Sequence, residues 1–202
     1  MIDLDAATVL LQWATGGLFF LWVTGRRREV GIGYGWTMRI TFGLMTAGAV
    51  AVGVLFESQP VRDTFGALML VATMVALGVS AVRRKAGVAG QRGTEERRTA
   101  RVAAMTGIDK DEKTFSEGPE FPAHLDLLAP VLGTVALVAG GIHAGDPAWL
   151  SVARVLIGAL FLGAISDAML LGHWYLVQPG LARGPLIELV WWSGLLWPFE
   201  LA

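Results

Sequence analysis

The chain has 202 residues, of which 54% are hydrophobic and 16% charged, with a net charge of −1 and a mean hydropathy of +0.56. A soluble domain carries about 25% charge, so this chain has too few charged residues to clothe a water-exposed globule. The absence of cysteine excludes disulfides, thiolate metal sites and thiol chemistry.

Six apolar segments stand out in chain order, at about 7–24, 34–56, 64–82, 124–142, 148–171 and 183–202. Each approaches the roughly 20 residues that a helix needs to cross the hydrocarbon. Helix is favoured because lipid leaves no partner for an unpaired backbone group, and no alternating ten-residue strand pattern is visible. The acidic start, Asp3 and Asp5, ahead of a long apolar run reads as a retained first helix rather than a cleaved signal. The last segment is the least regular, with Pro185, Pro198, Glu188 and Glu200 within it. The expected fold is therefore an all-α integral membrane protein, a bundle of about six transmembrane helices. Helices one to three occupy 1–82, a polar loop 83–123, and helices four to six 124–202.

Basic residues orient the chain. Arg26, Arg27 and Arg28 close the first helix, and Arg83, Arg84 and Lys85 close the third, opening a loop that also holds Arg97, Arg98 and Arg101. The connections at 57–63 and 143–147 hold only Arg62 between them. The positive-inside rule then places the long loop in the cytoplasm and both termini outside, as in a bacterial-type inner membrane. Trp22, Tyr34, Trp36, Trp174 and Tyr175 would sit at the inner interface, and Trp149 and Trp197 at the outer one. Within the loop, Thr94–Met105 reads as a short charged helix with Glu–Arg pairs at helical spacing. The acidic stretch from Asp109 to Glu120 does not suit calcium, since Lys113 and Thr114 stand where an oxygen ligand and a turn glycine are required. The hairpins around Pro60 and Pro147 share an orientation, which suggests an internal duplication from composition alone.

Ionisable groups within spans cost about 2.5–3.5 kcal/mol on insertion scales and are candidates for function. They gather toward the inner side: Arg39 on helix two, His124 and Asp126 at the start of four, Asp167 and His173 late in five, and Glu188 in six. At 100° per residue, Ser166 and His173 share a face, while Asp167 lies about 120° away from His173. His124 and Asp126 point to nearly opposite sides. The candidate ligand-binding set is His173, His124, Trp174, Tyr175 and Ser166, together with Trp191 and Trp192 as a wall for a flat cofactor. The candidate proton or ion path is Asp167, Asp126, Arg39 and Glu188. With Gly172 loosening the turn, helix five is expected to end near His173 and to turn that ring inward beside Ser166, where it could meet His124. The plain alternatives are snorkelling and helix-end pairing for the charges, an aromatic belt for Trp174 and Tyr175, and core packing for the two adjacent tryptophans. Small-residue pairs, Ala49 and Gly53, Ala136 and Gly140, Ala159 and Gly163, suit close helix crossings.

The segment Leu171-Gly172-His173-Trp174-Tyr175-Leu176-Val177-Gln178-Pro179, with Asp167-Ala168-Met169-Leu170 before it, resembles one in uncharacterised bacterial multi-spanning membrane proteins. The resemblance covers about twenty residues and implies no activity. No phosphate-binding glycine loop, HExxH motif or nucleophile elbow is present, so the expectation is a protein without catalysis of its own. Three readings are open. One is a membrane subunit of a larger assembly, of respiratory or other redox type, that contacts quinone or haem. Another is a small proton- or ion-coupled transporter or channel. A membrane scaffold is a third. Lipid and other membrane subunits are the expected partners. The loop's positive charges are nearly balanced by acids, which argues against nucleic acid.

Overall fold

The computed structural model describes residues 3–84, 93, 99–100, 103–105, 107, 119–177 and 181–201. Most of the charged segment read over 94–105 and the acidic stretch 109–118 lie outside the described residues, as do Gln178 and Pro179. Everything ordered into regular structure among the described residues is helical: α1 (Ala6–Gly25), α2 (Ile32–Phe56), α3 (Pro60–Val82), a 3-10 turn (Ala123–Leu127) running into α4 (Leu128–His143), α5 (Ala148–Val177) and α6 (Gly184–Leu201).

Local chemistry explains the boundaries. Asp5 caps α1, its Oδ1 accepting from the Thr8 amide at 2.7 Å. Pro60 takes the first position of α3, where its missing N–H costs nothing, and Asp63 reaches back to accept from the Gln59 amide at 2.9 Å. The helix thus begins four residues before the apolar run does, and Arg62 belongs to its first turn rather than to the preceding connection. Pro130 is tolerated in the first turn of α4, the one place where a helix can lack a donor. Five helices, counting the 3-10 turn with α4, are long and apolar enough to cross a membrane. The 18-residue α6 is not one of them: two glutamates and two prolines interrupt its apolar residues.

The bundle is built around α1. About 67% of its apolar window is buried, against 33% in α2 and α3 and 44% in α4 and α5. It packs against α2, α4 and α5, while α3 bridges α2 and α4, and α6 lies on α5. Hydrophobicity cannot hold helices together in lipid, so close backbone approach and polar contacts must do so. The tightest approach is between α1 and α5. A Cβ on Gly16 would fall 1.7 Å from the Ala159 carbonyl oxygen, and one on Gly163 would fall 2.2 Å from the Gly16 carbonyl carbon. The small pair read at Ala159 and Gly163 therefore does form a helix crossing, with Gly16 as its counterpart.

Chain connectivity gives the bundle two ends. The loop end carries the C-terminus of α1, the starts of α2, α4 and α6, and the ends of α3 and α5. The opposite end carries the start of α1 and the short connections 57–59 and 144–147, tied by the Asp3 amide donating to the Ala144 carbonyl at 2.8 Å.

Candidate functional site: buried ionisable groups

At the loop end, α2 and the 3-10 turn before α4 bring Arg39 and Asp126 together. Arg39 Nε and Nη2 donate to the two Asp126 carboxylate oxygens at 2.8 and 2.7 Å, and both side chains are about 95% buried. Arg39 Nη1 donates to Ser80 Oγ at 3.3 Å, which also accepts from Trp36 Nε1 at 2.9 Å. The Phe121 ring covers the guanidinium at 4.4 Å. Both charges are thus neutralised with fork-to-fork geometry. Beside this pair lies a cavity of about 50 Å³, bounded among others by Leu21, Tyr34, Arg39, Phe121 and Asp126.

Glu188, expected from the sequence to belong to an ion path, is held in an ion pair at the loop end. It accepts from Arg26 and, at 2.6 Å, from Arg27 Nε, so it fastens α6 to the end of α1. The hydrogen bond and charge of Glu188 push the Arg27 guanidinium above its ordinary value.

The opposite end holds a cluster outside the candidate set read from the sequence. Arg62 is wholly buried; it donates to Asp63 Oδ1 at 2.9 Å, to Thr8 Oγ1 at 3.2 Å, to the Glu57 carbonyl at 2.7 Å, and to Asp5. The signal was present but faint. A proline at the first position of a helix implies that an Arg-Asp pair two residues later sits on the helix, facing neighbours.

Asp167 stands apart from both clusters. It is fully buried, and among the described residues neither carboxylate oxygen has a hydrogen-bond partner. Its main-chain carbonyl accepts from the Tyr34 hydroxyl at 3.5 Å. Ala164, Asp167 and Leu171, at the three- and four-residue spacing of a single face, are all fully buried. The structure therefore does not join Asp167 to Asp126, Arg39 and Glu188 in one continuous set.

The histidines depart from expectation. The helix does not stop at Gly172 but continues to Val177, and no neighbour crowds Gly172. An unbroken helix keeps His173 about 120° from the buried Asp167 face, so its ring is exposed and its Nδ1 lies 2.8 Å from the Met169 carbonyl. His124 is exposed as well, while Asp126 two residues on is buried. The two histidines do not share an interior site. Ser166, on the face of His173, is covered by Trp13, whose Nε1 donates to its hydroxyl at 2.6 Å. Trp174 is half-buried against Tyr34, ring centroids 6.0 Å apart, and the Tyr175 hydroxyl donates to the Ala182 carbonyl. Trp191 and Trp192 meet at 81° and 5.5 Å, with Trp192 on Phe20 and Trp191 exposed. An edge-on pair of this kind offers no parallel wall for a flat cofactor.

Among the described residues no three His, Asp or Glu side chains are placed to hold a metal ion. An apolar groove of about 350 Å³ opens between α4 and α5, floored by Thr15, Gly16 and Phe19 of α1. No family model, curated protein or solved structure matches the chain.

Proposed function

We propose that this protein binds and releases a proton at Asp167, as a small proton-coupled transporter or as the proton-handling part of a larger membrane assembly. One observation carries the reading. Arg39, Arg62, Asp63 and Asp126 are buried too, yet each is paired, whereas the carboxyl of Asp167 is buried deeper than its fellow acids and has no partner among the described residues. An unpaired buried carboxylate is costly, and a bound proton removes the charge that burial penalises. An ionisable group held in that state inside a membrane protein is a functional candidate in its own right.

The test uses dicyclohexylcarbodiimide, an apolar reagent that attacks carboxyls bearing a proton in membrane interiors. In detergent or bilayer discs, mass spectrometry of the digested protein should show the adduct on Asp167, and Asp167→Asn should abolish it. An adduct confined to exposed carboxylates, with Asp167 unmodified, sinks the reading.

The assembly-subunit reading draws on the groove between α4 and α5, where a neighbouring helix would lie against the glycine of α1. With His124 and His173 both on the exterior, a haem or quinone would then be held between this chain and a partner rather than within the bundle. Co-purification in mild detergent distinguishes a subunit from a stand-alone protein. We place the chain in a bacterial-type inner membrane with the 83–123 loop on the cytoplasmic side, on the strength of its basic residues.

A further inference from the structure

The reading of Asp167 as a proton carrier leaves open how a proton would reach a fully buried carboxyl. The two ends of the bundle are not alike in this respect. Toward the opposite end, one helical turn from Asp167, lies the crossing of Gly163 with Gly16, where the backbones are too close to admit even a methyl group. Beyond it Leu11 and Val155 are almost wholly buried, and the end itself holds Arg62 with its partners Asp5 and Asp63 beside a polar cavity of about 200 Å³. The lining of that cavity reaches Thr8 and Gly140 and stops short of the crossing.

Toward the loop end, the cavity beside the Arg39–Asp126 pair has room for a few water molecules. Its wall includes Arg28, Arg39, Ser80 and Asp126, so water there would meet several polar groups. Tyr34 belongs to the same wall, is 2% exposed, and its hydroxyl already reaches Asp167, at the main-chain oxygen. Tyr34 therefore stands between the cavity and the buried acid.

We propose that Tyr34 is the relay through which the Asp167 carboxyl exchanges its proton with the loop end, and that the opposite end provides no route. This rests on the reading of Asp167 as a proton carrier. A hydrated proton in the cavity is accepted by the Tyr34 hydroxyl oxygen as the hydroxyl's own proton passes to an Asp167 carboxylate oxygen. The reverse order empties the site. The phenol is neutral before and after, and only O–H bonds are made and broken. The charged groups facing Tyr34 from the cavity are Arg28, Arg39 and Asp126, and Arg39 and Asp126 neutralise each other.

Infrared spectroscopy of the whole protein in bilayer discs tests the relay. The carboxyl C=O band that disappears in Asp167→Asn is followed as water is replaced by heavy water, and its rate of shift reports exchange at that one group. Tyr34→Phe keeps the ring against Trp174 but removes the hydroxyl. It should slow exchange about ten- to a hundredfold, the kinetic equivalent of one buried hydrogen bond left unmade. Ala123→Leu, which fills the cavity without touching Tyr34 chemistry, should slow it comparably and serves if the tyrosine variant does not fold. Gln12→Leu, toward the opposite end, should leave the rate unchanged. Exchange at the parental rate in both loop-end variants, or slowing in Gln12→Leu, overturns the route while leaving the carrier reading intact. A protein with no carboxyl band sensitive to Asp167→Asn overturns the carrier reading itself.

Discussion

The crossing of α1 and α5 yields a prediction in which two substitutions of the same kind on one helix have opposite signs. In Gly163→Ala the new methyl would lie 2.2 Å from the Gly16 carbonyl carbon, whereas ordinary contact begins near 3.4 Å. The obstacle is backbone on both sides, so no side chain can swing away, and the helices must separate by about 1.2 Å. Overpacking of this severity costs about 3 kcal/mol. For a protein of this size, that corresponds to a fall of about 6–12 °C in melting midpoint. Gly172→Ala, nine residues later in α5, meets nothing within 4 Å. It should gain about 0.5–1 kcal/mol from reduced backbone freedom in the unfolded chain, a rise of about 1–4 °C. The eight tryptophans make intrinsic fluorescence during heating in a single detergent a suitable assay. Gly16→Ala should match Gly163→Ala, and the double variant should lose less than their sum, since helices already parted accommodate a second methyl cheaply. A Gly163→Ala midpoint within about 2 °C of the parent, or equal losses in Gly163→Ala and Gly172→Ala, would refute the packing account.

Two other outcomes follow from the paired charges and the basic residues. Arg39→Leu strands Asp126 as a buried charge and should cost about 3–5 kcal/mol, while Arg39→Leu with Asp126→Leu should recover most of it; additive losses in the melting midpoints would show that the two residues do not act as a pair. A reporter fused within 90–115 should read cytoplasmic, and one inserted near Pro60 or Pro147 should read outside; reversal of these locations would overturn the orientation.

Much of the fold could be read from hydropathy because spanning helices impose one long-wavelength pattern on the sequence. The six apolar runs match α1 to α6 to within a few residues at most ends. The exceptions are instructive. Hydropathy places the start of α3 after Asp63 because Arg62 and Asp63 interrupt the apolar run, yet they are helical and buried, and they pair with each other. The sequence places the end of α5 near His173 because Gly172 loosens the turn and Pro179 cannot continue it, but a glycine with open space around it does not break the helix, which runs on to Val177. At the candidate site, the angular spacing separated Asp167 from His173 and Asp126 from His124, and both separations hold. Which member of each pair faced inward was not legible, because that depends on which neighbouring helix covers the face. The Arg39–Asp126 pair joins residues 87 apart in sequence, and the Arg62–Asp5 pair joins residues 57 apart. No local pattern encodes either.

The central position of α1 has a consequence for how the protein is made. A chain is synthesised in order, and α1 enters the membrane before α2, α4 and α5, the helices that cover it. Its Thr8, Gln12, Thr15 and Thr24, buried in the finished bundle, begin life against lipid or the insertion machinery. Gln12 must wait for the Val155 carbonyl, 143 residues later, to accept the hydrogen bond that its side-chain amide donates, and the bare backbone at Gly16 must wait for Gly163. The core of this protein is therefore its earliest piece and its last to be satisfied, so release of α1 into lipid before α5 arrives is the step at which assembly is most exposed to error.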